Sequence, residues 1–228
     1  MVIAKFIGVV LIGYLLGSIP FGLLISKRSS KVDIRQYGSG KIGATNVLRA
    51  AGRKAAALVV VLDVSKGALA VVLAGLIIGQ SYLMVGDFGL GVLVARVLAA
   101  LAAIAGHNWS VFLKFHGGRG VATFMGGLIA LSPVAAIFGG EIFIIGAGLT
   151  KFASLGSIAA AVSTYIILAL LVIMNRFPIE YLVYALIGTI IIIVMHRDNI
   201  RRLLSGKERK LGEKTKKVDS SPPTKTTG

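Results

Sequence analysis

VIAKFIGVVLIGYLLGSIPFGLLI, residues 2–25, is an almost uninterrupted apolar stretch whose one charged residue is Lys5. A helix needs about 20 mostly apolar residues to cross a bilayer core, so this stretch is long enough to span a membrane. Six further apolar stretches follow, and the fourth of the seven is short. The sequence therefore predicts an all-α, polytopic integral membrane bundle of about seven transmembrane helices, at residues 2–25, 55–79, 88–106, 121–131, 134–149, 155–174 and 179–195.

The composition excludes a soluble protein. Hydrophobic residues make up 56% of the 228 residues and charged residues 15%, with a mean hydropathy of +0.86. A soluble domain carries about a quarter charged residues. Cysteine is absent, which excludes thiol nucleophiles, disulfides and thiolate metal sites. Asp, Glu and His residues show no metal-ligand spacing, so we expect neither a catalytic metal nor a cofactor.

The placement of Lys and Arg residues predicts the orientation. The segments that connect the spans are rich in Lys and Arg on one side of the membrane, whereas those on the other side contain only two cations, Lys5 and Arg176. By the positive-inside rule, the cation-rich side is cytoplasmic. An odd number of spans then places the N-terminus outside and the C-terminus inside. The net charge of +16 is mostly this topology signal, and we expect no nucleic-acid partner. The cytoplasmic cations are Lys27, Arg28, Lys31, Arg35, Lys41, Arg49, Arg53, Lys54, Lys114, Arg119, Lys151 and those after His196.

The chain divides into two regions. Residues 1–206 are predicted to form the membrane-embedded domain, and residues 207–228 a basic, disordered cytoplasmic tail. Cations close to a membrane surface are each attracted to anionic lipid by about 1 kcal/mol, so the tail is expected to lie near the bilayer. From Asp219 onward, Pro, Ser and Thr residues dominate, a composition typical of disorder.

A glycine-dense segment, GSGKIGATNVLR at residues 38–49, lies between the first two spans; we call it the first cassette. It matches the dinucleotide pattern G-x-G-x-x-G, but no strand precedes it, and Ala44 replaces the lysine that a phosphate loop requires. What remains is a series of glycine N–H groups leading into a helix N-terminus, which favours an anion. Arg49 follows at a spacing that could direct a bidentate fork at the same anion. The alternative is a flexible loop that uses glycine only for its turns.

The second cassette, FHGGRGVAT at residues 115–123, repeats this arrangement. Three glycines surround Arg119, and a helix is predicted to begin at Val121 with its N-terminus toward the cytoplasm. Two such cassettes on one face predict binding of phosphate groups.

Ionisable residues within the spans are candidates for function by default. Asp63 and Lys66 lie three residues apart on one helix face and can neutralise each other, so a structural ion pair is the favoured interpretation. His107 is interpreted as a polar residue at a span boundary. His196 follows the last span, within possible reach of both cassettes.

Several of these blocks together resemble the PlsY family, bacterial membrane acyltransferases that use acyl phosphate to acylate glycerol 3-phosphate. The resemblance covers residues 17–206 and implies seven spans in the bacterial inner membrane, an active site facing the cytoplasm, and lysophosphatidic acid as product. Its blocks are GSGKIGATNVLRAAG, DVSKG, GHNWSVFLKFHGGRGVAT, residues 154–157 and HRDNIRRLLSG.

The resemblance also implies the site residues. Lys41 stands where the family commonly has asparagine, while His116 and Arg119 stand where it has lysines. Arginine keeps the charge, whereas a neutral imidazole does not. The implied catalytic residues are Ser39, Arg49, His196 and Asn199. The implied phosphate-binding residues are Gly40, Lys41, Gly43, Thr45, Asn46, His116, Gly117, Gly118, Arg119, Gly120 and Ser154.

Glycerol 3-phosphate, acyl phosphate and membrane lipids are the expected partners of a monomeric enzyme. A small permease or flippase for a phosphorylated solute could also show paired glycine-rich anion sites. However, the sequence lacks the two matched halves that inverted repeats of transporters produce. A membrane scaffold would explain the spans and leave the polar cassettes without a purpose.

Overall fold

The computed structural model describes residues 1–86 and 88–213, and these are mainly α-helical. Two short strands, β1 (Leu83–Val85) and β2 (Phe88–Leu90), form an antiparallel hairpin. The helices in chain order are α1 (Val2–Ser18), α2 (Phe21–Ser30), α3 (Ala44–Ala51), α4 (Arg53–Ile78), α5 (Val92–Asn108), α6 (Val121–Leu131), α7 (Pro133–Thr150), α8 (Ala153–Ile173), α9 (Ile179–Met195) and α10 (Arg197–Leu204).

The candidate membrane spans agree in large part with the seven predicted ones. Within the described ranges, five helical stretches are long and apolar enough to cross a membrane, and α9 with α10 becomes a sixth if the pair, bent by 59°, counts as one span. The first stretch combines α1 and α2 around a break at Ile19 and Pro20, because proline removes a backbone donor and disrupts a helix. The five are Val2–Ser30, Arg53–Ile78, Val92–Leu113, Pro133–Thr150 and Ala153–Ile173.

Two predicted spans differ from the structure. The third was expected from residue 88, but Phe88–Leu90 pairs with Leu83–Val85, so the helix begins only at Val92 and this part of the fold is not all-α. The fourth has the predicted bounds, Val121–Leu131. Its 11 residues rise about 16 Å, roughly half of a hydrocarbon core of about 30 Å. Helix α6 is therefore too short to span by itself.

Small residues let the helices approach closely. A Cβ atom at Gly13 of α1 would lie 2.5 Å from the carbonyl oxygen of Ala99 in α5, and one at Gly17 would overlap Ala103. Gly67 of α4 faces the backbone of Thr123 in α6 in the same way. Membrane helices have no hydrophobic driving force toward one another, so such close van der Waals packing holds the bundle together.

Helix α9 is fixed by an aromatic contact with α6. The rings of Phe124 and Tyr184 stack with centroids 5.3 Å apart, and the Tyr184 hydroxyl donates to the Phe124 carbonyl at 2.9 Å. Both side chains are fully buried. Because α9 ends at Met195, this contact sets the position of the next residue, His196, relative to the second cassette.

The first residues of the basic tail contact the helical body. The backbone N–H of Leu211 donates to the Lys151 carbonyl at 2.6 Å, and Glu208 hydrogen-bonds to Ser154 and Asn199. The boundary predicted after Gly206 therefore does not separate the domain from residues 207–213. The rest of the predicted disordered tail, residues 214–228, lies outside the described residues.

Candidate active site

A cavity of about 290 Å³ lies where both cassettes meet α4, the middle of α7, the start of α8 and the end of α9. It contains the four predicted catalytic residues and most of the predicted phosphate-binding residues. Gly40, His116, Gly117 and Gly118 do not line it. The predicted residues that do are Ser39, Lys41, Gly43, Thr45, Asn46, Arg49, Arg119, Gly120, Ser154, His196 and Asn199.

The first cassette folds into a turn followed by the short helix α3. Gly40 adopts a φ of +68°, which favours glycine, and its N–H donates to the Tyr37 carbonyl at 2.9 Å. Gly43 caps α3, and its carbonyl accepts from the N–H groups of Asn46 and Val47. The first N–H groups of a helix have no intrahelical partner, so those at the start of α3 are available to an anion in the cavity.

Asn46 organises this loop. Its buried side-chain amide donates to the carbonyls of Ile34, Tyr37 and Lys41 at 3.2, 2.9 and 2.9 Å. These carbonyls occupy both amide hydrogens. Asn46 therefore lines the cavity but keeps no free donor for phosphate, in contrast to its predicted role.

The second cassette contributes Arg119 and Gly120 to the cavity wall, while Gly117 and Gly118 pack behind it against the end of α5. The Gly118 N–H donates to the His107 carbonyl at 3.0 Å and is not free for an anion. Gly120 has a φ of +78° and is the N-cap of α6. Gly117 and Gly118 were predicted to bind phosphate. In the structure they instead let the backbone approach the end of α5 closely.

His116 points away from the cavity. Its side chain is exposed, and its Nδ1 hydrogen-bonds with the Lys114 carbonyl at 2.7 Å. His116 therefore does not line the cavity in which its predicted contact with phosphate would be made.

We accordingly expect His116→Ala to leave kcat/KM for the acyl transfer that the family resemblance implies within about threefold of the wild type, since exposed substitutions away from a site change free energies by about 0.5 kcal/mol. Steady-state kinetics of the purified variant would measure this. A hundredfold loss of kcat/KM would show that His116 contacts the substrate after all.

Three cations converge on the cavity. Burial lowers the pKa of Lys41 and of Arg49, and the neighbouring charges of Arg119 and Arg209 respectively lower them further. Burial, with the Arg202 charge next, lowers the pKa of Arg119 to about 10. Arginine side chains keep their charge at neutral pH, so an anion placed among these groups would relieve the repulsion between them.

Several buried polar atoms around the cavity lack partners. In the described part of the chain, the Nε atoms of Arg49 and Arg119 and the Oδ1 atom of Asn199 have no hydrogen-bond partner. Buried polar groups normally have one, because leaving a charged donor unpaired is costly. Two unpaired donors and one acceptor in a cavity indicate a ligand that carries both anionic oxygens and a hydroxyl.

His196 is buried at the end of α9. Its Nδ1 lies 2.8 Å from the Ile192 carbonyl, which can only accept, so Nδ1 carries the proton and Nε2 is left as an acceptor. Burial, with the Arg119 charge next, lowers the pKa of His196 to about 4. The imidazole is therefore neutral near pH 7, in the form that can accept a hydrogen bond from a hydroxyl.

Glu208 is a site residue that the sequence interpretation missed. Its Oε1 accepts from Ser154 Oγ at 3.0 Å and from Asn199 Nδ2 at 2.7 Å, and its Oε2 accepts from Arg202 Nε at 2.8 Å. Ser154 thus gives its hydrogen to Glu208 and not to a phosphate. The available signal was a single carboxylate within the otherwise basic residues 199–212.

The same tail segment holds Arg49. One Nη atom of Arg49 donates to the carbonyls of Arg209 and Lys210 at 3.0 and 3.1 Å. The tail thereby fixes the guanidinium from one side and leaves Nε toward the cavity.

Comparison with known proteins gives consistent matches. A family model described as glycerol-3-phosphate acyltransferase matches residues 7–206. Glycerol-3-phosphate acyltransferase 3 of Dehalococcoides mccartyi is 64% identical over 216 residues, covering 95% of this chain and all of that protein. The crystal structure of PlsY, an integral membrane glycerol 3-phosphate acyltransferase, in its glycerol 3-phosphate form has 36% identity and a TM-score of 0.78, covering 91% of this chain and 96% of PlsY. The lysophosphatidic acid form has the same identity and a TM-score of 0.74, with coverages of 90% and 94%.

Proposed function

This chain belongs to the glycerol-3-phosphate acyltransferase family, and we propose that it transfers a fatty acyl group from acyl phosphate to the 1-hydroxyl of glycerol 3-phosphate. Lysophosphatidic acid and inorganic phosphate are the products. The observation that carries this proposal is a cavity in which buried, unpaired guanidinium nitrogens of Arg49 and Arg119 adjoin an apolar wall.

The cationic part of the cavity suits two phosphate groups. An acyl phosphate is a mixed anhydride with a good leaving group, so its reaction needs charge neutralisation and alignment more than an activated enzyme nucleophile. Lys41, Arg49, Arg119 and the N-terminus of α3 supply positive charge around one space. We assign one phosphate to each cassette.

The apolar part suits the acyl chain. Apolar side chains from α4, α6 and α7 line the same cavity. A fatty chain would lie along them while its carbonyl stays near the polar end. These side chains are Val60, Val64, Met125, Phe143 and Ile144.

The reaction is a direct displacement at the acyl carbonyl. The glycerol oxygen forms a bond to the carbonyl carbon, and the bond from that carbon to the phosphate oxygen breaks. Inorganic phosphate leaves with the electron pair. The proton of the attacking hydroxyl passes to His196 Nε2 or to the departing phosphate, and Asn199 Oδ1 accepts a hydrogen bond from the other hydroxyl of glycerol 3-phosphate. No covalent enzyme intermediate, metal or cofactor takes part in this scheme.

The donor is tested by giving the purified protein glycerol 3-phosphate with acyl phosphate or, separately, with acyl-CoA. Mass spectrometry should detect lysophosphatidic acid only with acyl phosphate. Product from acyl-CoA alone would overturn the proposed donor and leave acyl transfer intact. Uptake of glycerol 3-phosphate into proteoliposomes without product would indicate a permease.

We also propose that the enzyme is a monomer in the bacterial inner membrane, with its N-terminus outside and its site facing the cytoplasm, as the cation asymmetry predicts. The absence of cysteine gives a clean background for labelling. In intact cells, Tyr82→Cys should react with a membrane-impermeant maleimide, and Ser29→Cys should react only after lysis. Both positions are exposed, and the reverse pattern would reverse the orientation.

A further inference from the structure

A buried charged cluster lies at the edge of the cavity, where α4 meets α5. Lys66 Nζ is 2.7 Å from Asp63 Oδ1 and 2.9 Å from His107 Nδ1. Each of the three side chains is at most 3% exposed. The ion pair predicted from the sequence is thus confirmed, while His107, interpreted as a boundary residue, joins it. Burying a charged pair is costly, so its retention calls for a specific purpose.

Lys66 fixes the state of His107. An ammonium group can only donate, so His107 Nδ1 is the acceptor and the neutral ring carries its proton on Nε2. Lys66 also donates to the Ile19 carbonyl at 3.1 Å, at the break between α1 and α2. The ammonium therefore ties three helices together around one imidazole.

His107 in turn supports the second cassette. Its carbonyl accepts from the Gly118 N–H at 3.0 Å. A Cβ atom at Gly118 would overlap His107 Nε2, and one at Gly117 would overlap the His107 carbonyl oxygen. The backbone at residues 117 and 118 thus rests directly on this histidine, and Arg119 is the next residue along.

Asp63 and His107 also border the cavity that Arg119 lines. A lone carboxylate there would repel a phosphate, and Lys66 removes that repulsion by pairing with it. The charges of Asp63 and Lys66 therefore nearly cancel, and the cluster does not repel a phosphate in the cavity.

We propose that Asp63, Lys66 and His107 are positioning residues for acyl transfer: the ion pair locks the His107 ring, and the ring with its carbonyl sets the backbone that aims Arg119 at substrate phosphate. This inference rests on the function proposed above. The three residues act through Arg119 and take no part in bond making.

The test uses a pair of substitutions that should compensate. Gly118→Ala places a methyl group against the His107 ring, and the KM for one of the two phosphate substrates should rise about tenfold, as for one lost charge-assisted contact, with kcat little changed. Adding His107→Asn removes the ring while keeping an acceptor for Lys66. The double variant should recover most of that loss.

If the His107 ring did not support the backbone at residue 118, the two substitutions would act independently and their effects on KM would multiply. A double variant with a KM at or above the product of the two single effects would overturn the proposal. If Gly118→Ala does not fold, the paired neutral variant Asp63→Asn with Lys66→Met gives a second route. It should bind glycerol 3-phosphate or inorganic phosphate about tenfold more weakly by calorimetry, and unchanged binding would overturn the proposal.

Calorimetric binding separates this inference from the proposed donor. A wild-type protein that makes no product from acyl phosphate would refute the donor alone. The compensation between Gly118→Ala and His107→Asn could still be read from phosphate affinity.

Discussion

Replacing Arg49 with lysine should lower kcat/KM for acyl transfer by about thirtyfold or more, although the charge is kept. One Nη atom of Arg49 holds the carbonyls of Arg209 and Lys210, while Nε is buried at the cavity without a partner. A planar guanidinium can serve both sides at once, whereas a lysine ammonium is a single point. Loss of a charge-assisted hydrogen bond is worth about 2 kcal/mol, and each 1.4 kcal/mol corresponds to about a tenfold change.

The measurement is steady-state kinetics on purified Arg49→Lys, with thermal unfolding to confirm that the protein is folded. Arg53→Lys is the matched control, because Arg53 is an exposed arginine at the start of α4 and does not line the cavity. Wild-type turnover in a folded Arg49→Lys protein would mean that Arg49 only holds the tail and does not bind substrate.

Much of the site follows from the sequence, because local chemistry fixes it. The helix start after Gly43 and the arginine one turn beyond its first residues are set by short-range rules, and the structure brings both to the cavity. Asp63 and Lys66 pair because residues three apart share a helix face.

Other features depended on tertiary contacts that the sequence does not display. A glycine can free a backbone N–H for an anion or let two segments touch, and only the packing of Gly118 on His107 identifies the second use. Similarly, His116 is adjacent to Gly117 in sequence, but the turn at Lys114 and Phe115, both with positive φ, directs it outward.

Glu208 was hidden for a related reason. It lies in a segment whose composition predicts a solvated tail, and its partners Ser154 and Asn199 are 54 and 9 residues away. In a segment predicted to be disordered, one carboxylate among many cations gives no sign of a structural role. In the folded protein the same carboxylate is the buried counter-charge of the site, with a side chain 5% exposed.

Glu208→Gln should therefore lower both the free energy of unfolding and the activity. The substitution removes the charge that Arg202 faces at 2.8 Å and replaces an acceptor oxygen with a donor NH₂ group. Removing one partner of a buried pair costs about 3–5 kcal/mol, and because the Arg202 side chain is 28% exposed we expect about 1–3 kcal/mol here. Thermal unfolding in detergent would measure the loss.

The activity loss has a separate cause. Without the carboxylate, Ser154 and Asn199 lose the acceptor that they share. Glu208 also anchors the tail directly before Arg209, whose carbonyl accepts from Arg49, so the position of Arg49 becomes less fixed. Glu213→Gln is the matched control, since it makes the same change in the same tail at an exposed residue whose carboxylate, among the described residues, accepts a hydrogen bond from the Lys210 N–H. Equal stability and turnover in the two variants would mean that residues 207–213 rest on the cavity without organising it. A loss confined to Glu208→Gln would make this tail segment a structural part of the active site.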